Sequence, residues 1–295
     1  LPGGLSAQTL NVATNDQVPA GATFTRPAGA AGGTCLNASM STAGLATFDV
    51  PATGTCTVEY QVCAAAPVTA CDNATLTVTA QTADMSAAFS NVPAAVGPGQ
   101  VVSGVTLTCT NVGASAATAA TCVPSLTSTA GGTTTPVSIT GLTCSATPIN
   151  VAVAGSIVCS FGFTAPGTAG GADTTTTQLN FSGATNATND SNAANNSATG
   201  TSLMVDALND TTSSPGGLTG QTFNVATNDQ APAGATFTRP DGVTGGTCFN
   251  ASMSTAGLAT FDVPASGTCT VEYQVCAVSP TTACDNATLT VTAQA

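Results

Sequence analysis

The chain has 295 residues, room for two or three domains, and carries a net charge of −12 with only 5% charged residues, against about 25% in an ordinary globular domain. It contains no Lys, His or Trp, and its only basic residues are Arg26 and Arg239. This excludes the basic patches that nucleic acid or anionic membranes require, every Ser-His or Cys-His nucleophile, and any lysine Schiff base, phosphate-loop lysine or Lys–Asn isopeptide crosslink.

Apolar residues make up 42% of the chain, so cores can form. No run approaches the ~20 apolar residues of a membrane-spanning helix, and no membrane insertion is expected. The richest run, "INVAVAGSIVCSFGF", is broken by Asn150, Ser156 and Ser160 and alternates as a strand does. No charged segment followed by an apolar one opens the sequence, so no signal peptide is expected in it.

Strand patterns begin at once and recur every eight to twelve residues, as in a β-sandwich. They cover 8–14 ("QTLNVAT"), 22–26 ("ATFTR"), 34–38 ("TCLNA"), 44–50 ("GLATFDV"), 55–63 ("TCTVEYQVC") and 73–80 ("NATLTVTA"). None has a 3.6-residue apolar period. Read as a hairpin across "PATG", strands 44–50 and 55–63 pair residue 48 with 58. Ala46, Phe48 and Val50 then face Tyr60, Val58 and Cys56 on the core side. Leu76 and Val78 face inward from the last strand.

A different unit fills residues 83–207, and a polar linker is expected at 208–217, within which "NDTTSSPGG" lies. Residues 218–295 then repeat the first pattern. Over 1–82 against 214–295 the alignment needs no gap, and 14 of 82 positions differ, leaving 68 identical. The organisation is A–B–A: unit A at 1–82, unit B at 83–207, the linker, and a second A. Differences gather at 28–31 and 65–68 and in their copies. Leu10 is replaced by Phe223 and Leu36 by Phe249, apolar exchanges that predict buried positions.

The twelve cysteines divide four, four and four, with no C-x-x-C pair and no His. This favours disulfides over metal, and an oxidising, extracellular location. Four cysteines allow three pairings. Cys63 ends one strand and Cys71 precedes the next, so Cys63–Cys71 would clamp their hairpin, with a gain of about 2–3 kcal/mol on the loop-entropy argument. Cys35–Cys56 follows, although an inward Leu36 points Cys35 outward unless a bulge or strand end intervenes. The copy pairs Cys248–Cys269 and Cys276–Cys284, and unit B pairs Cys109–Cys122 and Cys144–Cys159.

Unit A, through "NVATNDQVPAGATFT", "GLATFDVPATGTCTVEYQVC" and "CDNATLTVTA", resembles the cadherin-like or Ig-like tandem repeats of large bacterial surface proteins. Unit B, through "TCTNVGASAATAATC" and "NDSNAANNSATGTSLMV", resembles the bacterial cell-adhesion-related Ig-like domains. The resemblance implies three disulfide-stapled all-β sandwiches in tandem, and extracellular stalks, filaments or adhesins. It makes Asn15–Asp16, copied as Asn228–Asp229, a candidate calcium site. Calcium takes six to eight oxygens, few carboxylates lie nearby, and Asx-turn chemistry is the competing reading. No other cofactor is expected.

Two functions follow. One is a non-enzymatic structural protein, the building block of a surface filament, fibre or stalk that self-associates, with Leu1–Gln8 (Leu1, Leu5 and Gln8 among them) as the candidate exchanged strand. The other is an adhesin module whose loops, 28–31 and 64–70, bind a glycan or protein. The best carboxylate pair, Asp49 with Glu59, is expected on the outer face of adjacent strands, about 7–8 Å apart. It would be a calcium or acid/base site if a cleft accompanied it, and a solvated sheet face otherwise.

Both arginines precede proline, as Arg26-Pro27 and Arg239-Pro240, and a following proline blocks trypsin-like cleavage. Trypsin should therefore leave the chain whole, native or denatured. Fragments on a denaturing gel would refute this.

Overall fold

The computed structural model describes residues 1–27, 32–66, 70–145, 147–167, 177–239 and 246–295. The regular elements among the described residues are strands and short 3-10 turns. In the first unit the strands are β1 (Gln8–Asn11), β2 (Thr23–Thr25), β3 (Ser39–Met40), β4 (Leu45–Phe48), β5 (Thr55–Cys63) and β6 (Cys71–Thr79). They form two sheets, β1-β4-β3 and β2-β5-β6. Ala46 and Phe48 from the first sheet share one core with Phe24, Val58 and Tyr60 from the second, which makes the unit a sandwich.

The 44–50/55–63 hairpin is thereby corrected. β4 and β5 lie in opposite sheets, so Phe48 meets Val58 across the core and not as a ladder partner. The alternation was right and the partner wrong, because an inward face fits a neighbour in the same sheet and a neighbour across the sandwich equally well. Asp49 and Glu59 are separated by the same correction. Asp49 follows β4, while Glu59 sits on β5 opposite Thr75.

The segment before β3 passes between the sheets. The Cys35 amide donates to the Thr57 carbonyl on β5 (3.0 Å), and the Leu36 carbonyl accepts from the Asp49 amide (2.9 Å). Asn37 turns the chain with φ +50°, a left-handed conformation that Asn tolerates better than most residues. Cys35 therefore points inward at 7% exposure and Leu36 outward at 74%. The expectation of buried apolar positions fails at Leu36 and Phe249 (75%), and Leu10 is 45% exposed, while Phe223 is partly buried against the core of its unit. Gly33 makes this close approach feasible, since a Cβ there would lie 2.1 Å from the Thr57 carbonyl oxygen, at φ +89°.

The described part of the middle unit contains β7 (Met85–Ser90), β8 (Ala95–Val96), β9 (Val101–Asn111), β10 (Ala117–Ala130), β11 (Thr133–Pro136), β12 (Ile139–Cys144), β13 (Ile149–Val151), β14 (Ser156–Thr164), β15 (Thr177–Asn186) and β16 (Ser197–Met204). One sheet runs β11-β10-β15-β16-β8, with β13 on β10; the other runs β12-β14-β9-β7. Their shared core includes Leu107, Ile157, Phe161, Leu179 and Phe181.

The second copy adds β17 (Asp210–Pro215), β18 (Gln221–Asn224), β19 (Thr236–Thr238), β20 (Phe249–Met253), β21 (Leu258–Asp262), β22 (Thr268–Cys276) and β23 (Cys284–Gln294). Its sheets are β18-β21-β20 and β17-β23-β22-β19. The stretch expected as a linker is thus largely a strand. β17 lies parallel to β23, from Asp210↔Leu289 to Pro215↔Gln294. Its Thr and Ser residues suit an edge strand with little to bury, which is why it resembles a linker in composition.

In the structure the disulfides join Cys35–Cys56, Cys63–Cys71, Cys109–Cys122, Cys144–Cys159, Cys248–Cys269 and Cys276–Cys284. Two kinds recur. Cys63–Cys71 and Cys144–Cys159 close registered pairs on neighbouring strands, whereas Cys109–Cys122 ties β9 to β10 in the opposite sheet.

One polar side chain holds together the end of unit B at which β9 finishes. Asn111, fully buried, donates to the carbonyls of Ser115 (2.8 Å), Val151 (3.1 Å) and Ala152 (3.3 Å) and accepts from the amides of Gly113 (3.0 Å) and Asp84 (3.3 Å). It fixes three loops at once. Asn111→Ala leaves several buried backbone groups without this partner and should cost about 3–5 kcal/mol, read as a lower urea midpoint for unit B.

Candidate functional site

The second copy of unit A is completed by the end of unit B. Beyond β16 the chain enters the second unit, where Val205 and Ala207 are fully buried in its core together with Ala95 from β8. Asp206 and Gln230 exchange backbone hydrogen bonds of 2.9 and 2.8 Å. The Gln230 side-chain amide donates back to the carbonyls of Thr177 and Met204, both at 2.8 Å. Gln100 of unit B donates to the Thr282 hydroxyl (3.1 Å). The Ala207 amide donates to the Asp285 carboxylate (2.9 Å), and the Asn209 side chain accepts from the Thr288 amide (2.8 Å).

Tyr273 lies at the centre of this junction, fully buried. Its hydroxyl is 2.8 Å from the Leu208 carbonyl, 3.0 Å from Asp210 and 3.2 Å from Asp229, which also accepts from the Leu208 amide at 2.7 Å. One hydroxyl hydrogen cannot serve three acceptors. A proton on one carboxyl turns that group into a donor and leaves two acceptors for the hydroxyl hydrogen; a proton on each leaves one. Burial is the main force raising both acids, Asp210 to about 6 and Asp229 to about 7, with the Asp210 charge adding to the rise at Asp229. Burial, and then these carboxylates, push Tyr273 upward too.

The first copy keeps one of these acceptors, Asp16, and none of this covering. Tyr60 donates to Asp16 at 3.0 and 3.2 Å, and burial followed by Asp16 raises it to about 12. β6 is the edge of its sheet, whereas its counterpart β23 carries β17. Asp72, Ala74 and Ala70 are exposed and Leu76 is half-buried, while Asp285, Ala287, Ala283 and Leu289 are at most 3% exposed. A cleft of about 340 Å³ is lined by Gln17, Val18, Pro19, Val62, Ala64, Ala70, Cys71 and Asp72. A second, of about 240 Å³, lies between Leu10–Val12, Thr14, Asn15, Tyr60 and Thr75–Thr77.

The expected site residues separate. Leu1–Gln8 is seated in its own unit: the Leu1 carbonyl accepts from Gln81 (2.7 Å), the Leu5 carbonyl accepts from Val50 (2.8 Å), and Gln8 pairs with Phe48. Leu1 and Leu5 are nevertheless 46% and 39% exposed. In this single chain the segment therefore fills a place in its own sandwich. Asp49 accepts from the Ala7 amide (2.8 Å) and from Asn37 (2.6 Å), and those bonds hold its carboxyl below the usual range. It caps a turn away from Glu59. Asp16 and Asp229 prove to be tyrosine partners. Among the described residues no three His, Cys, Asp or Glu side chains converge to hold a metal ion, so the calcium reading finds no donor set in them. Loop residues 28–31 and 67–69, with the copied 241–244, lie outside the described residues.

The tyrosine–aspartate pairs carry no local sequence signal, since Tyr60 and Asp16 are 44 positions apart. The one available hint was "VDALND" just ahead of the second copy, in which Val205 and Ala207 alternate with polar residues as in a strand.

No family model matches the chain, and no curated protein matches it. Among solved structures it is similar to the protocadherin gammaB4 extracellular domain (9% identity, TM-score 0.24, covering 100% of this chain and 47% of that one). It is also similar to the human desmocollin-1 ectodomain (10%, 0.25, 92% and 54%) and to domains 4–9 of the surface layer protein SbsC (11%, 0.29, 94% and 40%). The chain thus spans about half the length of these neighbours or less, and likeness at this level carries no argument about family or function.

The raised acids give the junction a pH dependence. A carboxyl whose folded pKa lies above its unfolded value contributes stability that is fully present below about pH 4 and is lost as pH rises through about 6 and 7. After allowance for partial solvent exposure, the second unit should lose on the order of 1–2 kcal/mol between pH 5 and 8. Asp229→Asn should flatten that slope in thermal unfolding. An equally steep slope in the variant would refute the assignment.

Proposed function

We propose that this chain is a non-enzymatic extracellular structural protein, a building block of a surface fibre, filament or stalk made of β-sandwich repeats. The observation that carries the reading is the junction at Tyr273. There the segment that leaves unit B becomes the edge strand of the next sandwich, and Ala95 of unit B joins that sandwich's core. An interface that buries Val205, Ala207 and Ala95 together and adds a six-residue ladder resists bending. Twelve cysteines in six disulfides fit an oxidising environment. Without His or Lys the chain lacks the commonest nucleophile–base pairs and any lysine Schiff base. No helix among the described residues is long and apolar enough to cross a membrane.

Self-association through sheet edges follows from the same reading, because the described first unit exposes one along β6. An adhesin role has no specific support here, since the loops that would carry it fall largely outside the described residues. Negative-stain microscopy of the purified protein should show stiff rods or fibres with a fixed angle between units B and second A. Freely jointed beads, with that angle varying from particle to particle, would overturn the proposal.

A further inference from the structure

The two A units are 68 of 82 residues identical, yet one is covered along its edge and the other is open. We propose that the first unit is an acceptor for an extended peptide strand of the Val205–Ser213 type, which would lie parallel along β6 as β17 lies along β23 and end where Leu1 and Pro2 already hold the places of Ser214 and Pro215. This deepens the reading of the chain as a strand-linked repeat protein and rests on it.

The occupant is specified by the filled copy. It must place two small apolar side chains, as Val205 and Ala207 do, over Val62 and Ala64, the counterparts of Val275 and Ala277. Its backbone must meet Gln17 as Asp206 meets Gln230. An Asn must reach the Thr75 amide as Asn209 reaches Thr288, and an Asp must approach the Tyr60 hydroxyl as Asp210 approaches Tyr273. The Asp72 carboxylate then receives a backbone amide, as Asp285 does. The start of this register is already laid down. Pro2 forms a parallel bridge to Gln81, the counterpart of Pro215 against Gln294. The strand would therefore approach Leu1 from the same direction in which β17 approaches Ser214.

Position along the strand supplies the readout. Side chains and amides alternate with period two, so Thr75, Thr77 and Thr79 share the orientation of Thr288, whose amide the inserted segment receives. Their amides face the open edge. In the chain as it stands, hydrogen exchange at Thr75, Thr77 and Thr79 should be at least tenfold faster than at Thr288, Thr290 and Thr292, an internal control.

The test uses the full chain and a synthetic peptide spanning Leu203–Ser213, which stops short of the places that Leu1 and Pro2 fill. A fluorescent form should bind saturably, one per chain, and slow exchange at Thr75, Thr77 and Thr79. Asp210→Ala in the peptide should weaken binding about tenfold, as should Tyr60→Phe in the chain. Because ordering a free peptide is costly, a second form places Met204–Ser213 ahead of Leu1, in the register set by the alignment. Protection of the three threonines in either form sustains the proposal. Unprotected threonines in both forms, in a chain with all six disulfides intact, overturn it. So does protection that persists when Asp210→Ala and Tyr60→Phe are combined, or dimerisation through this face that the peptide fails to compete. Microscopy of the fibre and exchange at β6 are separate measurements, so failure of one reading is distinguishable from failure of the other.

Discussion

The parallel ladder between β17 and β23 is the contact on which the architecture of the second half turns. It is a backbone interaction, so it asks little of the side chains of Asp210–Pro215 beyond Asp210 itself. Its effects are large because of what arrives with it. The strand brings Val205 and Ala207 into a core, draws Ala95 of the neighbouring sandwich against that core, and carries Asn209 and Asp210 to their partners. Removing the strand returns the surface seen in the first unit, with Asp72, Ala74 and Ala70 open to solvent.

A chain with 5% charged residues has few ion pairs to draw on. Its rigidity comes from crosslinks and buried polar bonds. Cys109–Cys122 ties one sheet to the other, Cys63–Cys71 closes an edge hairpin, and Asn111 holds three loops by one side chain. Even the two cations are used this way. Arg26 donates to the carbonyls of Ala38 and Gly32, and Arg239 to that of Ala251. The guanidinium groups brace loops rather than face a ligand.

Much of this was legible in the sequence. Period-two alternation located β5 to the residue, and placed Phe48, Val58 and Val78 in the core. What alternation does not encode is which inward face meets which, and so β4 was assigned to the wrong sheet. The direction of Cys35 depended on the left-handed turn at Asn37, a single backbone angle that reverses the side chains around it. β17 was hidden for a different reason: an edge strand over a neighbouring sheet needs no apolar residues, and "NDTTSSP" reads as a linker in composition. The tyrosine site was illegible because its members come from three separate segments, 208–210, 229 and 273.

The parallel direction of β17 and β23 has a mechanical consequence. Tension carried along the chain enters β17 at Asp210 and leaves β23 near Gln294, at opposite ends of the paired region. The load therefore falls on the ladder in shear, with its hydrogen bonds stretched together, instead of peeling them off one at a time. The hairpin beneath is locked by Cys276–Cys284, so β22 and β23 cannot part at that end. A junction of this kind is weakest to sideways peeling and strongest along its own axis, which is the direction in which a tether is pulled.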